Sequence, residues 1–167
     1  MKRLAASLTA SVVLGGCVIA DVTEVASSVP DAIQRQYASP TAFYAKHIII
    51  PPGYTTIRLP GIIADTLPGG AYGDTEQQAE SIFTKIAAAL REAGADEGDV
   101  VAMTVYLVKP QGAVSMDFDG MMRAYGRHYG SATQPNRPVR STVEVAGLVR
   151  PGMLVEIEVT AAVPATR

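Results

Sequence analysis

The sequence predicts a single domain in which one β-sheet carries two amphipathic helices on one face. Three observations predict it. The chain has 167 residues, 48% of them hydrophobic and 18% charged, which is enough for one apolar core and too short for two. Its apolar periodicity alternates between the strand and helix repeats, in the order strand, strand, helix, strand, helix, strand, strand. Two helices do not cover both faces of such a sheet, so one face is left for another subunit.

The first residues read as targeting rather than fold. Lys2 and Arg3 form a positive start, and residues 4–16 are apolar or small without charge. This matches a secretory apolar region and is too short for a conventional membrane span. It ends in Leu14-Gly15-Gly16-Cys17, a bacterial lipobox pattern in which the only cysteine of the chain becomes the acylated N-terminus. Two alternatives stand beside it: ordinary cleavage after Val18-Ile19-Ala20, and a buried free cysteine. The lipobox reading makes residues 1–16 a signal peptide, residues 17–46 a lipidated N-terminus and tether, and residues 47–167 the folded domain. It places the protein in the cell envelope, held to a membrane by the Cys17 lipid; plain cleavage gives a secreted or periplasmic soluble protein. Breaks at Ser27-Ser28-Val29-Pro30 and Ser39-Pro40 support the tether, with a short helix over residues 31–37.

The domain elements follow in order. His47-Ile48-Ile49-Ile50 is a short strand ended by Pro51-Pro52-Gly53. Residues 54–59 are rich in Thr, Ile and Tyr and form a second strand stopped by Pro60-Gly61. Residues 67–73 carry Pro68, Gly69, Gly70 and Gly73 and form a loop without a phosphate-binding pattern. Asp74 and Gln77 have capping-box spacing, and Ala79, Ile82, Phe83, Ile86, Ala89, Leu90 and Ala93 trace one face of a helix that stops at Gly94. After the acidic connector Asp96-Glu97-Gly98-Asp99, residues 100–108 form an apolar, β-branched central strand. Phe118, Met121, Met122 and Tyr125 mark a second helix over residues 116–129. Residues 139–146 and 154–163 are closing strands. In the last, Val155, Ile157, Val159 and Ala161 share one face, and Glu156, Glu158 and Thr160 the other.

Composition narrows function. The net charge is −2, without the electrostatic footprint of a nucleic-acid binder. One cysteine excludes an internal disulfide framework and a CxxC metal or redox site. His47 and His128 are isolated in sequence, so no metal site is expected and no cofactor pattern is present. Arg140 and Glu156 stand out as charges set inside strands. An Arg there suits bidentate capture of a carboxylate, and a Glu can hold a water or move a proton. The plainer reading is a cross-strand ion pair or solvated edge charges.

The run Pro138-Val139-Arg140-Ser141-Thr142-Val143-Glu144-Val145, followed by Leu148 and by Leu154-Val155-Glu156-Ile157-Glu158, resembles the C-terminal signature of the Rid family (reactive intermediate deaminase; YjgF or L-PSP-like). The likeness extends over residues 48–163. It implies an α+β, chorismate-mutase-like fold, with a mixed sheet and two helices on one face, assembling as a homotrimer with sites in clefts between subunits. It further implies cofactor- and metal-free hydrolysis of small imine or enamine carboxylates to 2-oxo acids and ammonia. Residue by residue, it assigns carboxylate binding to Arg140, water positioning to Glu156 and a substrate contact to Gly61. Two departures accompany it: Pro60-Gly61-Ile62 stands where many members have Ser-Gly-Gln, and Met122 where deaminases often carry Asn. The alternative function is a non-catalytic, lipid-anchored protein binding small carboxylates through Arg140. Ribonuclease activity, attributed to some relatives, has neither a His pair nor net positive charge behind it.

Overall fold

The computed structural model describes residues 30–165. The proposed signal peptide, lipobox and first part of the tether lie outside the described residues. Six strands and two helices follow one another: β1 (Gln34–Gln36), β2 (His47–Ile49), β3 (Tyr54–Ile63), α1 (Thr75–Glu92), β4 (Val100–Val108), α2 (Phe118–His128), β5 (Val139–Val145) and β6 (Val155–Pro164). The main sheet has the order β3-β6-β4-β5. β6 runs antiparallel to both β3 and β4, whereas β4 and β5 are parallel, their crossover occupied by α2. This is the mixed sheet with two helices of the chorismate-mutase-like α+β fold. The two closing strands are not neighbours; β4 lies between them.

Local chemistry sets the helices. Asp74 accepts from the Gln77 backbone N–H at 2.9 Å and Gln77 Oε1 accepts from the Asp74 N–H at 3.0 Å, closing the expected box. Gly94, at φ 78°, ends the helix where a side chain would be strained. Ile82, Phe83, Ile86 and Leu90 are fully buried against the sheet and α2, each worth about 1.5–3 kcal/mol of burial. Met103, Val105 and Leu107 of β4 and Val155, Ile157 and Val159 of β6 meet them. The opposite sheet face carries Thr104, Tyr106, Glu156, Glu158 and Thr160, all partly exposed and covered by neither helix.

Four expectations are corrected. Residues 31–37 contain a strand, β1, rather than a helix; it pairs antiparallel with β2, and neither joins the main sheet. Long-range partners decide this: the Arg35 guanidinium donates to the Gly98 carbonyl at 2.9 Å and the Val100 carbonyl at 3.3 Å. Residues 34–46, assigned to the tether, are docked on the domain. Ala45 is 2% exposed and its N–H donates to the Pro138 carbonyl, the Tyr125 hydroxyl donates to the Phe43 carbonyl, and Arg137 donates to the carbonyls of Pro40 and Ala42 while stacking on Tyr37. Third, β3 does not stop at Pro60-Gly61 but continues to Ile63, its register with β6 shifting between Leu59 and Ile62. Pro60 is tolerated because β3 is an edge strand, where a missing N–H donor breaks little of the ladder. Fourth, His128 is not isolated: its Nδ1 lies 2.8 Å from Glu97 and its Nε2 3.0 Å from Glu80.

Candidate functional site

Arg140 lies near the start of edge strand β5, in register with Met103 of β4. Residues opposite each other in a sheet share a face, so Arg140 points to the helix side. There its guanidinium stacks over the Tyr125 ring at 4.3 Å, with Phe118 at 5.8 Å. Tyr125 is held as a platform by its hydroxyl, which donates to the Phe43 carbonyl at 2.8 Å. Burial pushes its phenol up to about 12. Arg140 has no carboxylate partner among the described residues, and its Nη1 is buried without a hydrogen bond. Burial lowers its pKa below the ordinary guanidinium value, against the weaker pull of Tyr125 and Tyr44; an arginine nonetheless stays charged.

A cleft of about 350 Å³ opens beside it, lined among others by Tyr44, Lys46, Thr104, Arg140 and Ser141, with no acidic residue in its wall. A second groove of about 390 Å³ runs along the uncovered sheet face past Arg58, Pro60, Thr104, Glu158 and Thr160. Its charges are mixed, and Glu158 already accepts the Tyr106 hydroxyl at 3.2 Å, which raises the Tyr106 pKa.

Glu156 stands elsewhere. It is in register with Tyr106 of β4 and Ile63 of β3, on the uncovered face. Its carboxylate folds over Gly61: a Cβ at Gly61 would fall 1.8 Å from Glu156 Oε1. The register shift in β3 makes this approach possible, and a glycine leaves room for it. Gly61 and Glu156 therefore come together within one chain, whereas Arg140 and Glu156 sit on opposite faces of the sheet. The cross-strand ion pair considered from the sequence does not form. Met122 lies apart from both, in a pocket of about 250 Å³ between α2 and residues 40–43. Among the described residues no group of three or more His, Cys, Asp or Glu could hold a metal, and no helix is long and apolar enough to cross a membrane.

The sequence reading missed Tyr44 and Lys46, which lay in the supposed tether. A signal was present: Tyr37, Phe43 and Tyr44 fall within eight residues, an aromatic density foreign to a solvated linker.

Fold and cleft together define a small α+β domain with one uncovered sheet face and a cationic edge cleft. Residues 56–163 match the family described as Endoribonuclease L-PSP, and the chain belongs to that family, the YjgF/Rid/RutC proteins. It is similar to a RutC family protein of Synechocystis, 38% identical over 92 residues, covering 55% of this chain and 64% of that protein. A RutC family protein of Pyrococcus abyssi is 36% identical over 89 residues, covering 53% and 62%. The chain thus spans less than two thirds of the length of each of these relatives. Among solved structures, a Rid-family protein of unknown function from Yersinia pestis superposes with a TM-score of 0.59 at 23% identity, covering 72% of this chain and 87% of that one. A member of the YjgF/YER057c/UK114 family from Mycobacterium tuberculosis gives 0.53 at 25% identity, covering 79% and 100%.

Proposed function

We propose that the protein hydrolyses small imine or enamine carboxylates to 2-oxo acids and ammonia. The observation that carries this reading is Arg140, which lines a cleft with no acid in its wall and has Nη1 buried without a hydrogen-bond partner. A planar fork in that state is matched by a carboxylate. An enamine first moves a proton from nitrogen to its β-carbon to become the imine; water then adds through its oxygen to the imine carbon as one proton passes to nitrogen, and the new hydroxyl gives its proton to nitrogen as the C–N bond breaks, leaving the 2-oxo acid and ammonia. Glu156 accepts the proton from the water and returns it to nitrogen. Because Arg140 and Glu156 lie on opposite faces of one sheet, the reading requires Arg140 of one chain to meet Glu156 and Gly61 of a neighbour. This agrees with the homotrimer that the family resemblance implies and with the uncovered sheet face. No cofactor or metal enters the scheme.

Ammonia release from imino acids generated in situ by an amino-acid oxidase tests it. Arg140→Lys loses about ten- to a hundredfold in carboxylate affinity, since one ammonium does not replace the fork. Glu156→Gln keeps binding and loses turnover. Folded variants with unchanged affinity and rate would make both residues structural charges.

One observation favours a second reading, a non-catalytic carboxylate-binding protein. Pro60 and Ile62 flank Gly61 without the hydroxyl and amide that many relatives place there, and Pro60 offers no backbone donor. Wild-type binding without ammonia release selects it. For nucleic acid, the net charge of −2 and the carboxylates of the uncovered face argue against RNA as a partner. The envelope location rests on Cys17 and its preceding small residues; wild-type protein labelled by palmitate, and Cys17→Ala unlabelled, is the expected result.

A further inference from the structure

The geometry points to a ligand with two anionic groups, and Lys46 as the residue that selects it. This inference rests on Arg140 as the carboxylate anchor and names the class of molecule that anchor receives. Lys46 lines the same cleft as Arg140. Its backbone is fixed there from both sides: the Ala45 N–H donates to the Pro138 carbonyl at 2.9 Å, two residues before Arg140, and the Lys46 N–H donates to the Gln36 carbonyl at 2.7 Å. Lys46 makes no ion pair or side-chain hydrogen bond with any described residue. Several other cations of the domain are engaged: Lys85 with Asp65, Arg123 with Glu76, and Arg127 with Glu76 and Glu80. The cleft thus has two uncompensated positive charges of different kinds.

The two kinds suit different tasks. A guanidinium stacked on Tyr125 offers a rigid, oriented fork for the carboxylate next to the reacting carbon. An ammonium on a flexible four-carbon stem is a point charge that follows a second anion at variable distance. Thr104 and Ser141 line the same cleft but belong to the uncovered face of the sheet. A monocarboxylate leaves Lys46 uncompensated in the filled cleft, whereas a dicarboxylate neutralises both charges. The matching substrates are imines of dicarboxylic amino acids, giving 2-oxo dicarboxylates.

The experiment measures affinity of the full chain for oxaloacetate and 2-oxoglutarate against pyruvate and 2-oxobutyrate, by calorimetry at low and high salt. The same comparison is made for Lys46→Gln and Lys46→Glu, substitutions at an exposed position. Wild type is expected to prefer dicarboxylates by about two- to fivefold, the range of a solvated ion pair, and less so at high salt. Lys46→Gln brings the ratio close to one and Lys46→Glu inverts it. Equal affinity for both classes in wild type, or a ratio indifferent to both substitutions, overturns the inference while leaving Arg140 as a monocarboxylate site. Binding of neither class by wild type removes the carboxylate reading of the cleft, and this inference with it.

Discussion

Gly61→Ala separates the position of the Glu156 carboxylate from its presence. The added Cβ would stand 1.8 Å from Oε1, 2.7 Å from Cδ and 3.0 Å from Cγ of Glu156. Real Cβ contacts essentially never fall under 3.0 Å, so the carboxylate retreats by more than 1 Å. The atoms met belong to the end of a flexible, partly exposed side chain, and Gly61 does not have a positive φ. The stability change is therefore small, within about 1 kcal/mol and partly offset by the reduced freedom of the unfolded chain. Catalysis depends on position more steeply: a misplacement of about 1 Å costs on the order of a hundredfold. Gly61→Ala should lower kcat for imine hydrolysis roughly a hundredfold while shifting the urea midpoint little. Full turnover in folded Gly61→Ala protein would refute the placement of Glu156 as the water-handling group. A loss of several kcal/mol in stability would instead show that the β3 register, not the carboxylate, needs the glycine.

His128 predicts a pH-dependent link between the helices. Both ring nitrogens face carboxylates, so both must donate, and the Glu97 contact, then that of Glu80, raises the histidine pKa against the opposing effect of burial. Its stabilisation is then complete below the unfolded pKa of about 6.5 and lost as pH rises through the raised folded value. Burial pushes Glu80 up, but hydrogen bonds from His128 and Arg127 hold it below its ordinary value, so its own contribution disappears only in acid. Discounted for solvent exposure, the histidine contributes about 1 kcal/mol, or about 3 °C in Tm. The Tm gap between wild type and His128→Gln should narrow as pH rises above about 6.5, and a flat gap speaks against a charged His128. Gln78, 0% exposed, donates to the Gly73 and Gly152 carbonyls and accepts from the Leu154 N–H; Gln78→Ala should cost about 2–4 kcal/mol in urea unfolding, and less than 1 kcal/mol would contradict that bridge. Light scattering of the domain should give three times the monomer mass, whereas a monomer at micromolar concentration removes the shared site.

Where chemistry was local, the sequence was legible. The Asp74/Gln77 box, the Gly94 stop and the alternation of Val155 to Ala161 needed only neighbours along the chain, and both helices and five strands followed from them. What escaped depended on distant partners. Gln34-Arg35-Gln36 has no strand character of its own and pairs because His47–Ile49 and the Gly98 carbonyl receive it. Pro60-Gly61 reads as a stop, and only the position of β3 at the sheet edge lets the strand run through it. Gln78 falls among the apolar residues of α1, yet its carbonyl and amide are spent on loops far away in sequence. Arg140 and Glu156 were found as types, but their opposite faces follow from ladder register, which composition and spacing do not contain.

The state of Arg140 supports one more prediction. Its neighbour in sequence Arg137 commits its head group to the Pro40 and Ala42 carbonyls and to the Tyr37 face. Arg140 has the Tyr125 and Phe118 rings but no hydrogen-bond acceptor, with Nη1 buried and unpaired; Nε of Arg137 is likewise buried and unpaired. An unsatisfied buried donor costs about 1–3 kcal/mol, and the cation–π contact returns about 0.5–2 kcal/mol. At the middle of these ranges the two offset to a net cost on the order of 1 kcal/mol for Arg140. Arg140→Met, similar in length and apolar against Tyr125 and Phe118, should raise Tm by about 3 °C and abolish the thermal shift that a 2-oxo acid produces. Ligand at a hundred times its Kd should stabilise wild type by about 2.7 kcal/mol and leave the variant unmoved. If Arg140→Met unfolds at lower temperature than wild type, the guanidinium is holding β5 to α2, and the cleft beside it loses its claim as the binding site.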